Sequence, residues 1–116
     1  MTLERDRLYL EHILTCIAMV RDYTQDGKAK FMTSALVQDA VLRRLQTMAE
    51  SSQRLPEELK AEAQYVDWRS LAGFRNVLVH DYLDGIDLER VWNAVEKDLP
   101  GLERTVEELI AHDAGT

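Results

Sequence analysis

The feature that most constrains the fold is an apolar stripe through the last third of the chain. Seven residues recur at alternating intervals of four and three: Leu88, Trp92, Val95, Leu99, Leu102, Val106 and Leu109. This spacing places all of them on one face of an α-helix. The stripe passes through Pro100, although proline inside a helix costs about 3 kcal/mol. The pattern therefore predicts two nearly collinear helices, the second capped by Asp98, or one helix kinked near Pro100.

Comparable stripes predict the preceding helices. A first helix over about residues 3–24, with Thr2 as its N-cap, is indicated by Leu3, Leu10, Ile13, Ile17 and Val20. Gln25-Asp26-Gly27 is a turn signal. A second helix from about Lys28 to Arg54 is indicated by Phe31, Val37, Ala40, Val41, Leu45 and Met48.

The middle of the chain predicts two further helices. Pro56 is suited to the first turn of a short helix over Glu57–Gln64. Asp67 is suited to capping a helix that starts at Trp68 and ends at Gly85, after which Asp87 caps the next one. A strand at residues 77–79 is the competing interpretation, but it would be short and without a partner. The chain is thus expected to be all-α: one domain over residues 1–116, an antiparallel up-and-down bundle of four main helices plus a short one.

Composition excludes several classes of protein. A single cysteine, Cys16, excludes an intramolecular disulfide and a multi-cysteine zinc site, and its helical spacing with Ile13 and Ile17 favours a core role over a reactive thiol. The three histidines lack metal-ligand spacing, so neither a metal nor another cofactor is expected, and His12 and His112 are predicted to be isolated. No apolar run approaches the ~20 residues of a membrane span, and the first residues lack a signal-peptide pattern. We therefore expect a cytoplasmic protein without a membrane partner.

The net charge of −7 argues against a general nucleic-acid binder. The charge is unevenly distributed, however. Residues 84–116 contain 9 acidic and 3 basic residues, whereas residues 1–83 contain 12 acidic and 11 basic ones. This distribution is compatible with a local positive pocket and equally with a solvated face of scattered arginines. The arginines that could form such a pocket are Arg43, Arg44, Arg54, Arg69 and Arg75.

Four chemically active side chains fall within eight residues: Arg75, Asn76, His80 and Tyr82. An arginine guanidinium is a planar, permanently charged fork that binds phosphate. A histidine imidazole exchanges protons near neutral pH. An arginine and a histidine together are sufficient for a minimal site that cleaves a phosphodiester without a metal ion.

The geometry of a regular helix does not bring this set together. Arg75 and His80 are five residues apart, which places them about 140° apart around the axis. A long arginine side chain could reach around, the helix could loosen near its end, or two copies of the motif could face each other across a two-fold axis. The third possibility predicts a homodimer.

Each residue also has a structural interpretation. His80 could stabilise a helix C-terminus through the helix dipole, and Arg75 could pair with Asp81 or Asp84 at the surface. Asn76 could be a surface amide, and Tyr82 a core aromatic with a solvated hydroxyl.

The segment from Trp68 to Tyr82, WRSLAGFRNVLVHDY, resembles the signature of the HepT-like toxins of the HEPN superfamily. The family hallmark is Arg, four residues, His, one residue, Tyr, and Arg75, His80 and Tyr82 match it. The resemblance covers nearly the whole chain, because residues 40–45 and 48–51 resemble the family's second helix, and residues 91–92 and 98–102 resemble its closing helices. Ser51 departs from the alanine expected in many members.

The resemblance implies the toxin of a type VII-like toxin–antitoxin pair: a dimeric helical bundle that cleaves RNA without a metal ion. It assigns Arg75 and His80 to catalysis and Asn76 to a supporting role. It also implies a minimal nucleotidyltransferase antitoxin, MntA-like, that inactivates the toxin by transferring AMP to Tyr82. The alternative is a non-catalytic module in which the same arginine and histidine bind a nucleotide or anion. In this interpretation the chain acts as the partner of a nucleotidyltransferase. The acidic net charge favours this second interpretation.

Overall fold

The helix α1 (Glu4–Tyr23) lies at the centre of the structure, where it packs against two other long helices. The computed structural model describes residues 4–63, 66, 68, 71, 85 and 87–114. The helices after α1 are α2 (Lys28–Thr33), α3 (Ala35–Gln53), α4 (Glu57–Ala61), α5 (Leu88–Asn93) and α6 (Leu99–Ala114). The fold is all-α, as the sequence predicts.

The predicted apolar stripe of α1 is confirmed. Leu10, Ile13, Cys16, Ile17 and Val20 are all fully buried, each at 0 % exposure. Burial of one large aliphatic side chain stabilises a fold by roughly 1.5–3 kcal/mol, so this face is a major part of the core. Cys16 is a core residue, as expected.

The helices α1 and α3 run antiparallel, and two polar contacts define their register. His12 Nδ1 lies 2.6 Å from Ser51 Oγ. One turn further along α1, Cys16 Sγ lies 3.5 Å from Thr47 Oγ1, one turn back along α3. The start of α1 therefore lies beside the end of α3.

The predicted helix from Lys28 to Arg54 is wrong in one respect: it is broken at Ser34. The backbone of Ser34 is extended, with φ −110° and ψ 109°, and its Oγ accepts a hydrogen bond from Val37 N at 3.2 Å. Serine hydroxyls satisfy the free N–H groups of a helix start, which favours ending one helix and beginning another. The break leaves Phe31 fully buried, with its ring centroid 5.5 Å from that of Trp92.

Two predicted details near prolines also differ. The short helix α4 ends at Ala61 rather than Gln64, and Pro56 is its N-cap rather than a first-turn residue. At Pro100 the chain stays helical through a π-helical turn over Ala94–Asp98, so Asp98 lies inside this turn and does not cap a new helix. A wider turn relieves the clash between a proline ring and the carbonyl four residues earlier.

Ion pairs connect the C-terminal end of α1 and the start of α2 to the last helices. Both terminal nitrogens of Arg21 donate to the Glu103 carboxylate at 3.0 Å, and Lys28 Nζ lies 2.7 Å from Glu89. The hydrogen bond from Arg21 to Glu103 raises the pKa of Arg21, and the charge of Glu107 adds to this. Exposed pairs of this kind contribute little stability individually, but they neutralise acidic side chains at this end of the bundle.

Among the helices that the structure describes, none has the length and apolar character required to cross a bilayer.

The cap at Ser34 gives a stability prediction. Ser34→Ala should lower the free energy of unfolding by about 1 kcal/mol, because it leaves the N–H of Val37 without its side-chain acceptor. Urea unfolding followed by circular dichroism measures this. Thr33→Ala is the matched control, because the Thr33 hydroxyl only bonds back to carbonyls of its own helix. An equal loss in both variants would contradict a capping role.

Candidate functional site

The segment that carries the Arg–His–Tyr motif is attached to the bundle at its start by Trp68. The indole Nε1 of Trp68 donates to two backbone carbonyls, Lys60 O at 3.2 Å and Ala63 O at 3.1 Å. Three residues later, Leu71 packs against the core. The chain therefore enters the motif from a fixed position beside the end of α4.

The segment is attached again where it ends. Gly85 has a φ of 93°, a left-handed backbone that glycine adopts without strain. Asp87 then caps α5, as predicted, and its Oδ1 accepts from Arg90 N at 3.1 Å. The helix that follows buries Val91 and Trp92 in the core.

The four predicted site residues, Arg75, Asn76, His80 and Tyr82, lie outside the described residues, as does most of the helix predicted from Trp68 to Gly85. Their mutual geometry, the surface pairing of Arg75 and the sharing of a site between two subunits therefore stay predictions. The structure places the two ends of their segment, at Leu71 and Gly85.

A groove of about 650 Å³ lies next to the start of the motif segment. We call it the entry groove. Its floor includes Leu45 and Met48 of α3, Leu102 of α6, and Val66 and Leu71. Lys97 and Arg104 also line it, with Asp98 and Glu108. The entry groove combines an apolar floor with charged groups of both signs.

A second groove, of about 650 Å³, lies where the start of α1 meets the end of α3. We call it the polar groove, and it is lined by Arg5, Tyr9, Glu50, Gln53 and Arg54. The antiparallel register explains this grouping, because continuing it from the contacts of His12 and Cys16 places Tyr9 opposite Arg54. Arg5 lies one turn before Tyr9 and is 71 % exposed.

The structure separates some of the arginines that the sequence offers for a positive pocket or a solvated face. Arg43 is exposed and hydrogen-bonds weakly within α3, at 3.5 Å to Gln46. Arg43 is eleven residues from Arg54, about 16 Å along the helix, so the two do not share a site. Arg69 lies outside the described residues, with Arg75. Arg54 does line a groove, but its cationic neighbour there is Arg5, which the sequence interpretation missed because residues 5 and 54 are far apart in sequence.

The prediction that His12 is isolated is wrong. His12 contacts Ser51 across the helix interface, and its Nε2 lies 3.5 Å from Cys16 Sγ on its own helix. The spacing of four between His12 and Cys16 could have indicated the second contact, whereas the first depends on the packing of α3. Within the described ranges, no three side chains of His, Cys, Asp or Glu are grouped so that they could bind a metal ion.

Asp6 is a buried carboxylate beside the polar groove. It is 3 % exposed, and its Oδ1 has no hydrogen-bond donor among the residues described. The nearest cation is Arg5, whose Nε lies 3.9 Å away. At 3.9 Å the two side chains form an ion pair without a hydrogen bond, and the Arg5 side chain stays 71 % exposed.

Comparison with known proteins gives a consistent result. The family model for HepT-like ribonucleases matches residues 13–109. A protein of Thermococcus cleftensis named "Probable ribonuclease HepT" is 31 % identical over 87 % of this chain and 92 % of its own length. A protein of Caldanaerobacter subterraneus named "Putative RNase" is 30 % identical over 90 % of this chain and 93 % of its own length.

A longer relative carries a second activity in its name. A protein of Methanocaldococcus jannaschii, named as a gamma-glutamylcyclotransferase and putative RNase, is 36 % identical over 86 % of this chain. The chain spans only 45 % of that relative's length. No solved structure matches the chain.

The attachment of the motif segment by Trp68 can be tested. Trp68→Phe keeps the ring but removes the indole N–H from the carbonyls of Lys60 and Ala63. We expect the free energy of unfolding to fall by about 1 kcal/mol in urea titrations. An unchanged free energy of unfolding in Trp68→Phe would contradict the anchoring role.

Proposed function

We propose that this chain, which belongs to the HepT-like ribonuclease family, is a metal-independent endoribonuclease and the toxin of a type VII-like toxin–antitoxin pair. One observation carries the proposal: the complete set Arg75, His80 and Tyr82, with Asn76 after the arginine, lies inside the matched residues 13–109. The names of the relatives support the same activity. We further propose that residues 1–116 form one HEPN-type domain that acts in the cytoplasm.

The proposed reaction uses the nucleophile that RNA itself contains. The 2′-hydroxyl loses its proton to the imidazole of His80, and its oxygen forms a bond to the adjacent phosphorus. The bond from phosphorus to the 5′-oxygen breaks, and that oxygen takes up a proton, so the products are a 2′,3′-cyclic phosphate and a 5′-hydroxyl. General acid–base catalysis of this type typically contributes 10²–10⁴ in rate.

Arg75 is proposed to hold the phosphate and the charge that accumulates on its oxygens in the transition state. Asn76 is proposed to orient the phosphate or the imidazole. Because one straight helix separates Arg75 and His80 by about 140°, we propose that the protein is a homodimer and that each site combines Arg75 of one protomer with the partner's His80.

Tyr82 is the proposed site of control. A minimal nucleotidyltransferase antitoxin would transfer AMP to its phenol oxygen, forming a phosphodiester and releasing pyrophosphate from ATP. The added phosphate is negative and lies close in sequence to Arg75 and His80, so it would compete with RNA for the arginine. The adenosine would in addition block the cleft.

The alternative function, a module that binds a nucleotide or anion without cleaving RNA, is supported by the net charge of −7. Incubation of the pure protein with RNA in EDTA separates the two. Cleavage supports the ribonuclease, and tight binding without cleavage supports the module.

Replacement of either catalytic residue should abolish cleavage. His80→Ala and Arg75→Ala should each lower the rate in EDTA by at least about 10²-fold, with unchanged helicity. His112→Ala is the matched control, because His112 is exposed near the C-terminus and should keep wild-type activity. Wild-type cleavage by His80→Ala would disprove the acid–base role.

The shared site can be tested by mixing these two inactive variants, which is the second arm of the same experiment. If each site combines Arg75 of one protomer with the partner's His80, a mixed dimer contains one intact site. After refolding the variants together, about a quarter of the wild-type activity should return. No recovery, in dimers shown by native mass spectrometry to be mixed, would rule out a site shared in this way.

The proposed modification of Tyr82 gives a separate prediction. Tyr82→Phe keeps the ring and removes the acceptor oxygen, so the variant should fold but escape neutralisation by a co-expressed nucleotidyltransferase. Intact mass spectrometry after co-expression should show one added AMP on the wild type and none on Tyr82→Phe. Tyr23→Phe is the control and should still be modified. Neutralisation of a toxic Tyr82→Phe variant would refute the assignment.

A further inference from the structure

We propose that the polar groove is a substrate-positioning subsite that binds single-stranded RNA outside the Arg–His–Tyr motif. In it, Arg5 and Arg54 would contact phosphates and Tyr9 would stack against a base. The inference rests on the proposed function, since it gives the groove a role in holding the substrate of that reaction. It adds a binding surface built from α1 and α3, far in sequence from the motif.

The arrangement of the groove carries the proposal. Arg5 and Tyr9 are four residues apart on α1, so they are neighbours on one helix face. The antiparallel register brings Arg54, at the end of α3, level with Tyr9 across the helix interface. An aromatic ring with cations beside it in one groove is the combination by which proteins hold single-stranded nucleic acid without reading its sequence.

The side chains are available for this role. Arg5 is 71 % exposed, and the 3.9 Å between its Nε and Asp6 exceeds hydrogen-bonding distance. Arg54 is exposed, and no carboxylate in the described part of the chain forms an ion pair with it. Tyr9 is half-buried and packs partly on the core, so its ring is held in place and ordering it on binding costs little entropy.

The charge at the groove is balanced even though the chain as a whole is acidic. Two arginines and one acid, Glu50, line the groove, and the buried carboxylate of Asp6 lies 3.9 Å from Arg5. At the other end of α1, Arg21 and Lys28 are engaged by Glu103 and Glu89. Arg21 is about 24 Å from Arg5 along the helix, well beyond the screening length of about 8 Å at physiological salt. The exposed guanidinium groups of Arg5 and Arg54 are therefore largely unaffected by those distant acidic side chains.

The test measures binding of the wild-type protein and its variants to a short fluorescein-labelled RNA of mixed sequence. The RNA carries 2′-O-methyl groups, which block cleavage. Fluorescence anisotropy is recorded at several salt concentrations. Arg5→Gln and Arg54→Gln should each weaken binding by about fivefold, because each removes a charge-assisted contact to phosphate. Each should also make the slope of log K against log salt shallower by about 0.7, the value for one lost contact to a single strand.

Matched variants separate a contact from a structural effect. Arg43→Gln makes the same change of charge on α3, about 16 Å away, and should leave affinity and slope unchanged. Arg54→Lys should keep the slope. Tyr9→Leu should weaken binding by about tenfold, as for one lost base stack, whereas Tyr9→Phe should bind as the wild type does. Circular dichroism confirms that each variant is folded.

The outcomes are distinguishable. If the wild type cleaves RNA but the arginine variants match Arg43→Gln in affinity and slope, the groove proposal is overturned and the proposed function stands. If the wild type neither binds nor cleaves RNA, the proposed function fails and the groove proposal fails with it. If RNA binding is unchanged while AMP transfer by the nucleotidyltransferase is lost, the surface belongs to that partner, and the RNA assignment is overturned.

Discussion

The antiparallel register between α1 and α3 is the constraint on which the other features depend. The buried face of α1 supplies five fully buried core residues, but apolar packing alone does not fix how far one helix is displaced along the other. The contacts of His12 with Ser51 and of Cys16 with Thr47 restrict that displacement. Hydrogen bonds in a mostly buried interface have strict geometric requirements, so a shift by one turn would leave these polar groups without partners. The same register places Arg54 beside Tyr9 and creates the polar groove.

Much of the fold could be predicted because helix periodicity is a local property. The stripes of α1 and of the C-terminal helices identified buried residues such as Ile17 and Val106, and Asp87 was recognisable as a cap. The break at Ser34 could not be predicted, because the apolar pattern continues through it and serine is only mildly unfavourable in a helix. The π-helical turn before Pro100 could not be predicted either. The apolar stripe favours a continuous helix and the proline disfavours one, and a wide turn accommodates both.

The motif and the polar groove also differ in how far the sequence alone predicts them. The motif from Arg75 to Tyr82 is contiguous, so its residue types and order are visible without any structure. The polar groove combines residues from opposite ends of two helices, and nothing in the sequence marks Arg5 as a neighbour of Arg54. The sequence offers five scattered arginines for a positive pocket, and helix geometry separates Arg43 from Arg54 by distance alone. Sites assembled by packing become predictable only once the register of the helices is known.

The net charge is a poor guide to the substrate of a chain such as this. A charge of −7 describes the whole molecule, whereas RNA responds to the potential within a screening length of about 8 Å. Acidic residues are concentrated in residues 84–116, and of these Glu103 and Glu89 are engaged with Arg21 and Lys28. An acidic exterior with only two exposed arginines in the groove also limits indiscriminate binding to nucleic acid, because few phosphates can be contacted at once. For a ribonuclease, the consequence would be weak, strongly localised RNA binding, in which affinity depends on a few contacts rather than on a basic surface.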